Sequence, residues 1–406
     1  MSGITAIGTT FNEPNYHGQL LALTPEDTPL FSASGGLNGA GSVTDTTIEW
    51  QTYDLRDAAS RPRLEGADAP SAEARVRANA QNRVQIFQEA ISTSYSKQAA
   101  TNQFYQGAAG NSAQGVGSVG NPVVNEHQWQ IIQSLKQIKR DVNWCFWNGV
   151  RVDPATNATA RAMNGLLNVC TSNAQVLSTG HALYTGASAA TTHITVTHDL
   201  AVNDKVVFTD VGVATTIVPN RYYWVQAIST TATFDVSATK GGSAITIGTA
   251  TVSFYGIKAA NIATVDAING LLQSVYDNGG ITEQGTATLF VPSGQKLALS
   301  KAYAASGTAA NLLFGTRNVG GMSLDTIVTD FGTLNVAIER ALPSDALAVV
   351  SLDQVQPVFM TIPNKGVLFE EELAKTGSAD KTQLYGEIGL AFGNQAAHGV
   401  MRGLFA

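Results

Sequence analysis

The chain has 406 residues, of which 44% are apolar and 14% are charged, and its formal net charge is −7. This length allows two or three domains, and the apolar content is enough for a sizeable core. The negative charge excludes a general attraction to nucleic acid or to an anionic membrane. No apolar run reaches the length of a membrane span. The N-terminus lacks the basic flank and apolar core of a signal peptide, so we expect synthesis in a reducing cytoplasm.

The first 44 residues are predicted to form an extended arm. Pro14, Pro25 and Pro29 interrupt any long helix there. Periodicity is weak in this segment, and glycine, serine, threonine and asparagine are common. If the arm is ordered, a neighbouring chain or domain should hold it.

The stretch 45–97 has the strongest local pattern. It begins as a strand at 46–53, where Ile48 and Trp50 alternate with polar residues, and it returns in extended form over 82–91. We predict one long two-stranded excursion with a charged tip. Because an isolated two-stranded ribbon is marginal in water, the excursion should lie on another subunit.

The charges of this stretch indicate what it contacts. It carries eight acids and seven bases, about twice the average charge density of the chain. Because the two signs nearly cancel, a nucleic-acid surface is disfavoured, whereas complementary pairing between copies of the chain is favoured. A solvated surface loop is the alternative. The candidate contacts between subunits are Arg56, Asp57, Arg61, Arg63, Glu65 and Asp68.

A long helix is predicted over 125–149, after a glycine-rich loop at 107–122. Asn125 is the expected N-cap and Gly149 the expected stop. The helix would be a rod of roughly 36 Å with one apolar face. That face is predicted to pack in the core through Ile131, Leu135, Ile138, Val142 and Cys145.

Residues 178–257 change the pattern to short strands separated by turn residues, which is typical of a small all-β domain. An α+β pattern surrounds this segment, so we interpret it as an insertion. After it, the sequence predicts a helix with Thr264 as its N-cap and Gly279 as its stop, a strand at 288–291, a helix at 293–304, a hairpin over 324–341 and further strands over 346–406.

No pattern indicates catalysis, a cofactor or a metal. The sequence at 115–120 matches G-x-G-x-x-G but has no strand before it, so it is predicted to be a loop. His193 and His198 have a poor spacing for metal binding. The only acidic run, at 370–372, is predicted to be a solvated strand edge or a surface for a basic partner.

This order of elements resembles the major capsid proteins of tailed bacteriophages, which have the HK97-like fold. The residues at 48–52, 64–68 and 85–87 are similar to the SU10-type branch in particular. The resemblance implies an α+β chain with an N-terminal arm (1–44), an E-loop (45–97), a P-domain (98–177) that contains the spine helix, an A-domain (258–345) and closing strands of the A- and P-domains (346–406). The inserted all-β domain (178–257) is a departure from the family.

The resemblance also implies a function. Copies of the chain would form hexamers and pentamers in an icosahedral shell that encloses double-stranded DNA without reading its sequence. Cement, decoration or portal proteins would be further partners, no membrane would be involved, and assembly would take place in the host cytoplasm. The alternative is a β-rich surface adhesin, or virion binding protein, with 178–257 as its binding module. An enzyme ranks third, because no catalytic group is indicated.

Overall fold

The computed structural model describes residues 22–37, 41–56, 58–71, 73–100, 125–176, 183–214, 216–219, 221–230, 232–257, 263–281, 287–305, 315–319, 322–375 and 377–404. Its helices are α1 (Pro29–Ala33), α2 (Tyr95–Ala100), α3 (Glu126–Asn148), α4 (Leu166–Val169), α5 (Val265–Asp277) and α6 (Ser293–Ala305). Its strands are β1 (Gly41–Val43), β2 (Thr47–Tyr53), β3 (Arg77–Arg83), β4 (Gln85–Ser94), β5 (Ala174–Val176), β6 (Leu183–Ala190), β7 (His193–Thr195), β8 (Lys205–Asp210), β9 (Tyr222–Thr230), β10 (Thr233–Ser237), β11 (Ala250–Ile257), β12 (Ala287–Val291), β13 (Gly315–Val319), β14 (Met322–Thr329), β15 (Gly332–Ile338), β16 (Leu347–Ser351), β17 (Gln356–Met360), β18 (Leu368–Glu372), β19 (Ala379–Ala391) and β20 (Gly399–Arg402).

The chain forms two compact units. The smaller unit comprises Met1–Glu26, Gln88–Ile138 and Glu370–Tyr385, and the larger unit comprises Asp27–Phe87, Lys139–Phe369 and Gly386–Ala406. Among the described helices, none combines the length and the hydrophobicity that crossing a bilayer requires.

In the smaller unit, a histidine joins the start of α3 to two strands. The His127 ring nitrogens lie 3.0 Å from the Thr93 hydroxyl and 2.8 Å from the Thr382 hydroxyl. The predicted N-cap of this helix is confirmed, because Asn125 Oδ1 accepts a hydrogen bond from the backbone N–H of Gln128 at 3.2 Å. The start of α3 is therefore fixed both by its cap and by a side chain.

A seven-stranded sheet with the order β13-β14-β15-β12-β16-β20-β5 belongs to the larger unit. Helix α5 packs on it through Ile268, Leu271, Leu272 and Val275, which share one core cluster with sheet residues. The predicted cap of α5 is confirmed, because the Thr264 hydroxyl accepts from the backbone N–H of Ala267. The apolar stripe of this helix is buried because strands β12, β15 and β16 present apolar side chains to it.

Residues 183–257 form a closed six-stranded sheet with the order β10-β7-β6-β11-β8-β9. Its core is aromatic, with Phe208, Phe234 and Phe254 fully buried. In the sequence, this module lies between β5 and α5, which both belong to the seven-stranded sheet or pack on it. The prediction of an all-β segment is confirmed, although β6 was not predicted, because its alanines and glycine carry little hydrophobic pattern.

A five-stranded sheet has the order β1-β17-β19-β18, with β4 also paired to β19. Strands β1 and β17 were not predicted, since β1 has three residues and β17 contains a proline. The prediction of the return strand at 82–91 is corrected by the structure. The strand that pairs with β2 is β3, and residues 85–94 form β4 in this other sheet. The sequence of β3 is almost entirely polar, so it lacks the alternation that identifies a strand.

Candidate assembly surfaces

The ribbon formed by β2, β3 and their connecting residues 54–76 has no core of its own along most of its length. Each described residue from 53 to 79 is exposed. Apolar side chains are among them, and Leu64 is 84% exposed. A long exposed segment with apolar side chains is typical of a surface that meets another protein.

At the tip of the ribbon, one carboxylate forms ion pairs with three arginines. Glu73 pairs with Arg56 at 3.4 Å, with Arg61 at 2.9 Å and with Arg75 at 3.2 Å. Three cations therefore share one acid, and the cluster keeps an excess of positive charge. Each pair is about half-exposed, so its contribution to the stability of the subunit is small.

The residues predicted as contacts at the tip differ in the partners they have within the chain. Arg56 and Arg61 have a partner within their own chain, and Arg63 donates to the backbone carbonyl of Asp68 at 3.3 Å. Glu65 is exposed, and Asp57 lies outside the described residues. Glu73 was not among the predicted contacts, because spacing along an irregular loop does not show which acid the arginines share.

The base of the ribbon is anchored by a buried asparagine. Asn82 is fully buried, and its amide nitrogen donates to the carbonyls of Asn164 at 3.1 Å and Leu390 at 2.7 Å. Its amide oxygen accepts from the backbone N–H groups of Asn164 and Arg83, at 2.9 and 2.8 Å. All the polar atoms of this side chain are therefore used, which is the condition for burying an amide without a large cost.

Charged side chains of the loop 149–165 surround the same base. Arg83 forms an ion pair with Asp153, which also accepts from Arg151 at 2.6 Å. The hydrogen bond from Arg83 lowers the pKa of Asp153. Arg161 pairs with Glu387 and donates to the carbonyl of Val84 at 2.9 Å. These contacts of the loop 149–165 thus hold the base of the ribbon in position.

The long helix α3 buries four of its five predicted core residues, namely Ile131, Ile138, Val142 and Cys145. Burial raises the pKa of the Cys145 thiol to about 11, so this cysteine is a packing residue. The fifth residue, Leu135, is 37% exposed, and its expected place in the core of the chain is therefore a wrong prediction. Its spacing places Leu135 on the same face of the helix as the four buried residues, so this apolar face is not covered along its whole length.

The end of the predicted arm is anchored in the larger unit. Leu30 and Phe31 of α1 are buried. The backbone N–H of Phe31 donates to Asn143 Oδ1 at 3.0 Å, and the Asn143 amide donates to Glu339 at 3.1 Å. Asp27 also accepts from Arg340 at 2.9 Å on the surface. Part of the predicted extended arm is thus a docked helical turn.

A buried polar cluster connects the closed sheet to the seven-stranded sheet. The Tyr255 hydroxyl donates to Asp345 at 2.5 Å. Burial raises the pKa of both groups. Lys205 is also buried, with its ammonium 4.9 and 5.0 Å from the ring centroids of Tyr222 and Trp224, and burial lowers its pKa.

The remaining sequence candidates do not form a chemical site. The G-x-G-x-x-G segment at 115–120 lies outside the described residues. His193 contacts Asp235 at 2.5 Å, whereas His198 is buried against Phe234. In the described part of the chain, no group of three histidine, cysteine or acidic side chains is placed to hold a metal ion. On β18, Glu370 and Glu372 are exposed.

Comparison with known proteins identifies the family. The family described as SU10 major capsid protein matches residues 3–405. The capsid of cyanophage A-1(L) has 10% sequence identity and a TM-score of 0.51, and the likeness covers 98% of each chain. The capsid of Myoviridae phage XM1 has the same identity and TM-score and covers 100% of each chain.

At this identity the solved structures show the fold alone. No curated protein matches the chain. The alternative of a surface adhesin finds no support in these comparisons. The chain belongs to the SU10 major capsid protein family of tailed bacteriophages: it has the HK97-like fold, and copies of it build the homo-oligomeric shell of the virion.

Proposed function

We propose that copies of this chain assemble as hexamers and pentamers into a closed icosahedral shell, with the ribbon tip as a principal contact between subunits. The main observation that supports this proposal is the exposure of the stretch from 53 to 79. It buries none of its described residues within its own chain, so its ordering entropy must be offset by contacts with a neighbour. The tip contacts are Arg56, Asp57, Arg61, Arg63, Glu65 and Asp68.

The same proposal assigns a role in the shell to each segment of the chain. The arm at 1–44 and the E-loop at 45–97 join subunits, and the segments 98–177, 258–345 and 346–406 form the P- and A-domains of the shell wall. The apolar residues of the spine helix stiffen that wall. The inserted module at 178–257 stands on the surface.

The shell encloses double-stranded DNA without reading its sequence, and it performs no catalysis. The net charge of −7 supports weak, non-specific contact with DNA. Portal and decoration proteins complete the particle, and assembly takes place in the host cytoplasm.

Reversal of charge at the tip tests the proposal. We expect the wild-type protein to form closed shells visible by electron microscopy, and the double variant Arg61→Glu, Arg63→Glu to remain a folded subunit that does not form them. The matched control is Arg221→Glu, Lys240→Glu in the closed sheet, which changes the net charge by the same amount. Normal shells from the tip variant would show that the tip is not an assembly contact.

A further inference from the structure

A fully buried histidine lies just before β20, in the larger unit. His398 has no solvent exposure. Its Nε2 atom donates to the carbonyl oxygen of Phe392 at 2.9 Å, and its Nδ1 atom accepts from the backbone N–H of Ser351 at 3.3 Å. Because a carbonyl oxygen accepts and a backbone N–H donates, the proton of the neutral ring is on Nε2. The two contacts therefore select one tautomer of the uncharged imidazole.

A second proton on this ring would meet no acceptor. It would lie on Nδ1 and point at the backbone N–H of Ser351, which is also a donor, and the ring would carry a buried positive charge. Burial lowers the pKa of His398, although the carbonyl of Phe392 and the charge of Asp353 oppose this effect. Protonation of the ring therefore requires that its surroundings open.

The elements packed around the ring determine how it responds to acid. Among the described charged groups, Asp353, in the turn after β16, is the one that acts on the ring. Helix α5 presents Leu271 and Val275 to the start of β20. The Asn173 amide donates to the His398 carbonyl at 3.2 Å. These other neighbours are neutral, so the histidine is the group in this part of the described chain that changes its charge in mild acid.

The segment 392–398 links this histidine to the base of the ribbon. The indole N–H of Trp50, in β2, donates to the carbonyl of Gly393 at 2.8 Å. The Trp50 ring also packs edge-on against Phe392, with 4.7 Å between the ring centroids. Phe392 thus contacts the ribbon with its ring and His398 with its carbonyl. A change at the histidine therefore reaches the ribbon through one residue.

We propose that the segment 392–398 is an acid-sensitive latch, which a second proton on His398 opens, so that the base of the ribbon loosens. Every contact in the latch lies within one chain, so its response does not depend on shell formation. Above the ordinary histidine pKa of about 6.5 the ring is neutral in both the closed and the opened latch, and the latch is fully closed. As pH falls from there towards the lowered pKa, the opened latch takes up a proton that the closed latch excludes. The opening equilibrium therefore grows by about tenfold per pH unit.

Hydrogen exchange of the full chain at about pH 7 and about pH 5 tests the latch. After correction for the pH dependence of the chemical exchange rate, we expect the amides of Ser351 and of 392–400 to lose protection by about tenfold or more in acid. Residues 46–53 of the ribbon should lose protection with them. The amides of β12, which lies beside β16 in the seven-stranded sheet, are the internal reference and should keep their protection.

Two histidine variants separate the latch from a general effect of acid. His398→Asn keeps an acceptor for the Ser351 N–H and does not titrate, so exchange at 392–400 should lack the acid response. His127→Asn is the matched control, because His127 also forms hydrogen bonds through both ring nitrogens but lies in the smaller unit. This control should keep the wild-type acid response at 392–400.

Trp50→Phe tests the connection to the ribbon. Phenylalanine keeps an aromatic ring beside Phe392 and loses the hydrogen bond to Gly393. We expect residues 46–53 of this variant to exchange faster than those of the wild-type protein at neutral pH, with the acid response at 392–400 unchanged.

Three results would overturn the inference. The first is an absence of the acid response at 392–400 in the wild-type protein, and the second is its persistence in His398→Asn. The third is an acid response that leaves residues 46–53 protected. Each of these results would leave the shell function standing, since electron microscopy of the wild-type protein tests that function separately.

Discussion

The backbone N–H of Leu30 donates to the buried carboxylate of Glu339 at 3.2 Å, across 309 residues of sequence. The same carboxylate accepts from the Asn143 amide and from the backbone N–H of Ala341. Burial raises the pKa of Glu339, while these donors oppose that rise. A single side chain thus holds α1, the long helix and the end of β15 in one place.

Replacement of Glu339 by glutamine should release α1. The new amide nitrogen would face either the Leu30 N–H or the other donors, and a buried donor without an acceptor costs about 1–3 kcal/mol. We expect a lower free energy of unfolding in urea and faster hydrogen exchange at 29–33. Arg340→Ala is the control, because its pair with Asp27 is exposed and should contribute little. Equal effects of the two variants would contradict this account.

Gly165→Ala should destabilise the loop that holds the ribbon. A Cβ atom at Gly165 would lie 2.6 Å from the carbonyl oxygen of Trp147 and 2.7 Å from the backbone nitrogen of Gly149. Because both atoms belong to the main chain, the backbone must shift, and we expect a loss of about 1–3 kcal/mol of unfolding free energy.

A glycine in an open position provides the control for this substitution. A Cβ atom at Gly270, in α5, would meet only the Gln175 amide nitrogen at 3.9 Å. Gly270→Ala should therefore stabilise the subunit by about 0.5–1 kcal/mol, through helix propensity and reduced freedom of the unfolded chain. Denaturation curves that show the same sign for both substitutions would refute the contact argument.

The buried carboxyl of Asp345 should make stability depend on pH. Its pKa is raised by burial, although the Tyr255 hydroxyl and the charge of Arg402 oppose that rise. Above the ordinary aspartate pKa the unfolded chain has lost this proton, whereas the folded chain keeps it until its raised pKa is reached. Its contribution to stability is therefore fully present below about pH 4 and falls as pH rises through the raised value.

Asp345→Asn isolates this effect, since asparagine can still accept from the Tyr255 hydroxyl and does not titrate. Urea midpoints measured from pH 4 to 8 should fall more steeply for the wild-type protein than for the variant. Parallel curves would show that Asp345 titrates alike in the folded and unfolded chains.

Two substitutions three residues apart compare a buried and an exposed position on the apolar face of the long helix. Ile138 is 3% exposed, so Ile138→Asp would bury an unpaired charge and should give insoluble protein. Leu135→Asp should leave a folded subunit, with a stability change within about 0.5 kcal/mol. The solubility and the circular dichroism spectra of the two variants test this prediction. Insolubility of the Leu135 variant would show that this side chain packs in the subunit after all.

Local pattern predicted the elements whose hydrophobic face packs on a neighbouring element. The stripe of α5 and the alternation of β2 were visible because burial selects apolar residues at regular intervals. The same reasoning failed for β3, which is polar on both faces, and for Leu135, whose spacing fits the stripe although the side chain is exposed. Periodicity shows that a face is apolar and does not show what covers it.

Local sequence patterns are sufficient to predict the types of most elements, the all-β insertion and the resemblance to capsid proteins, because these depend on residues close together in the chain. Which groups meet across long separations depends instead on the fold. Examples are the carboxylate of Glu339 beneath Leu30, the anchoring of Asn82 and the sharing of Glu73 by three arginines. Such partners are set by the path of the whole backbone, and no interval along the sequence encodes them.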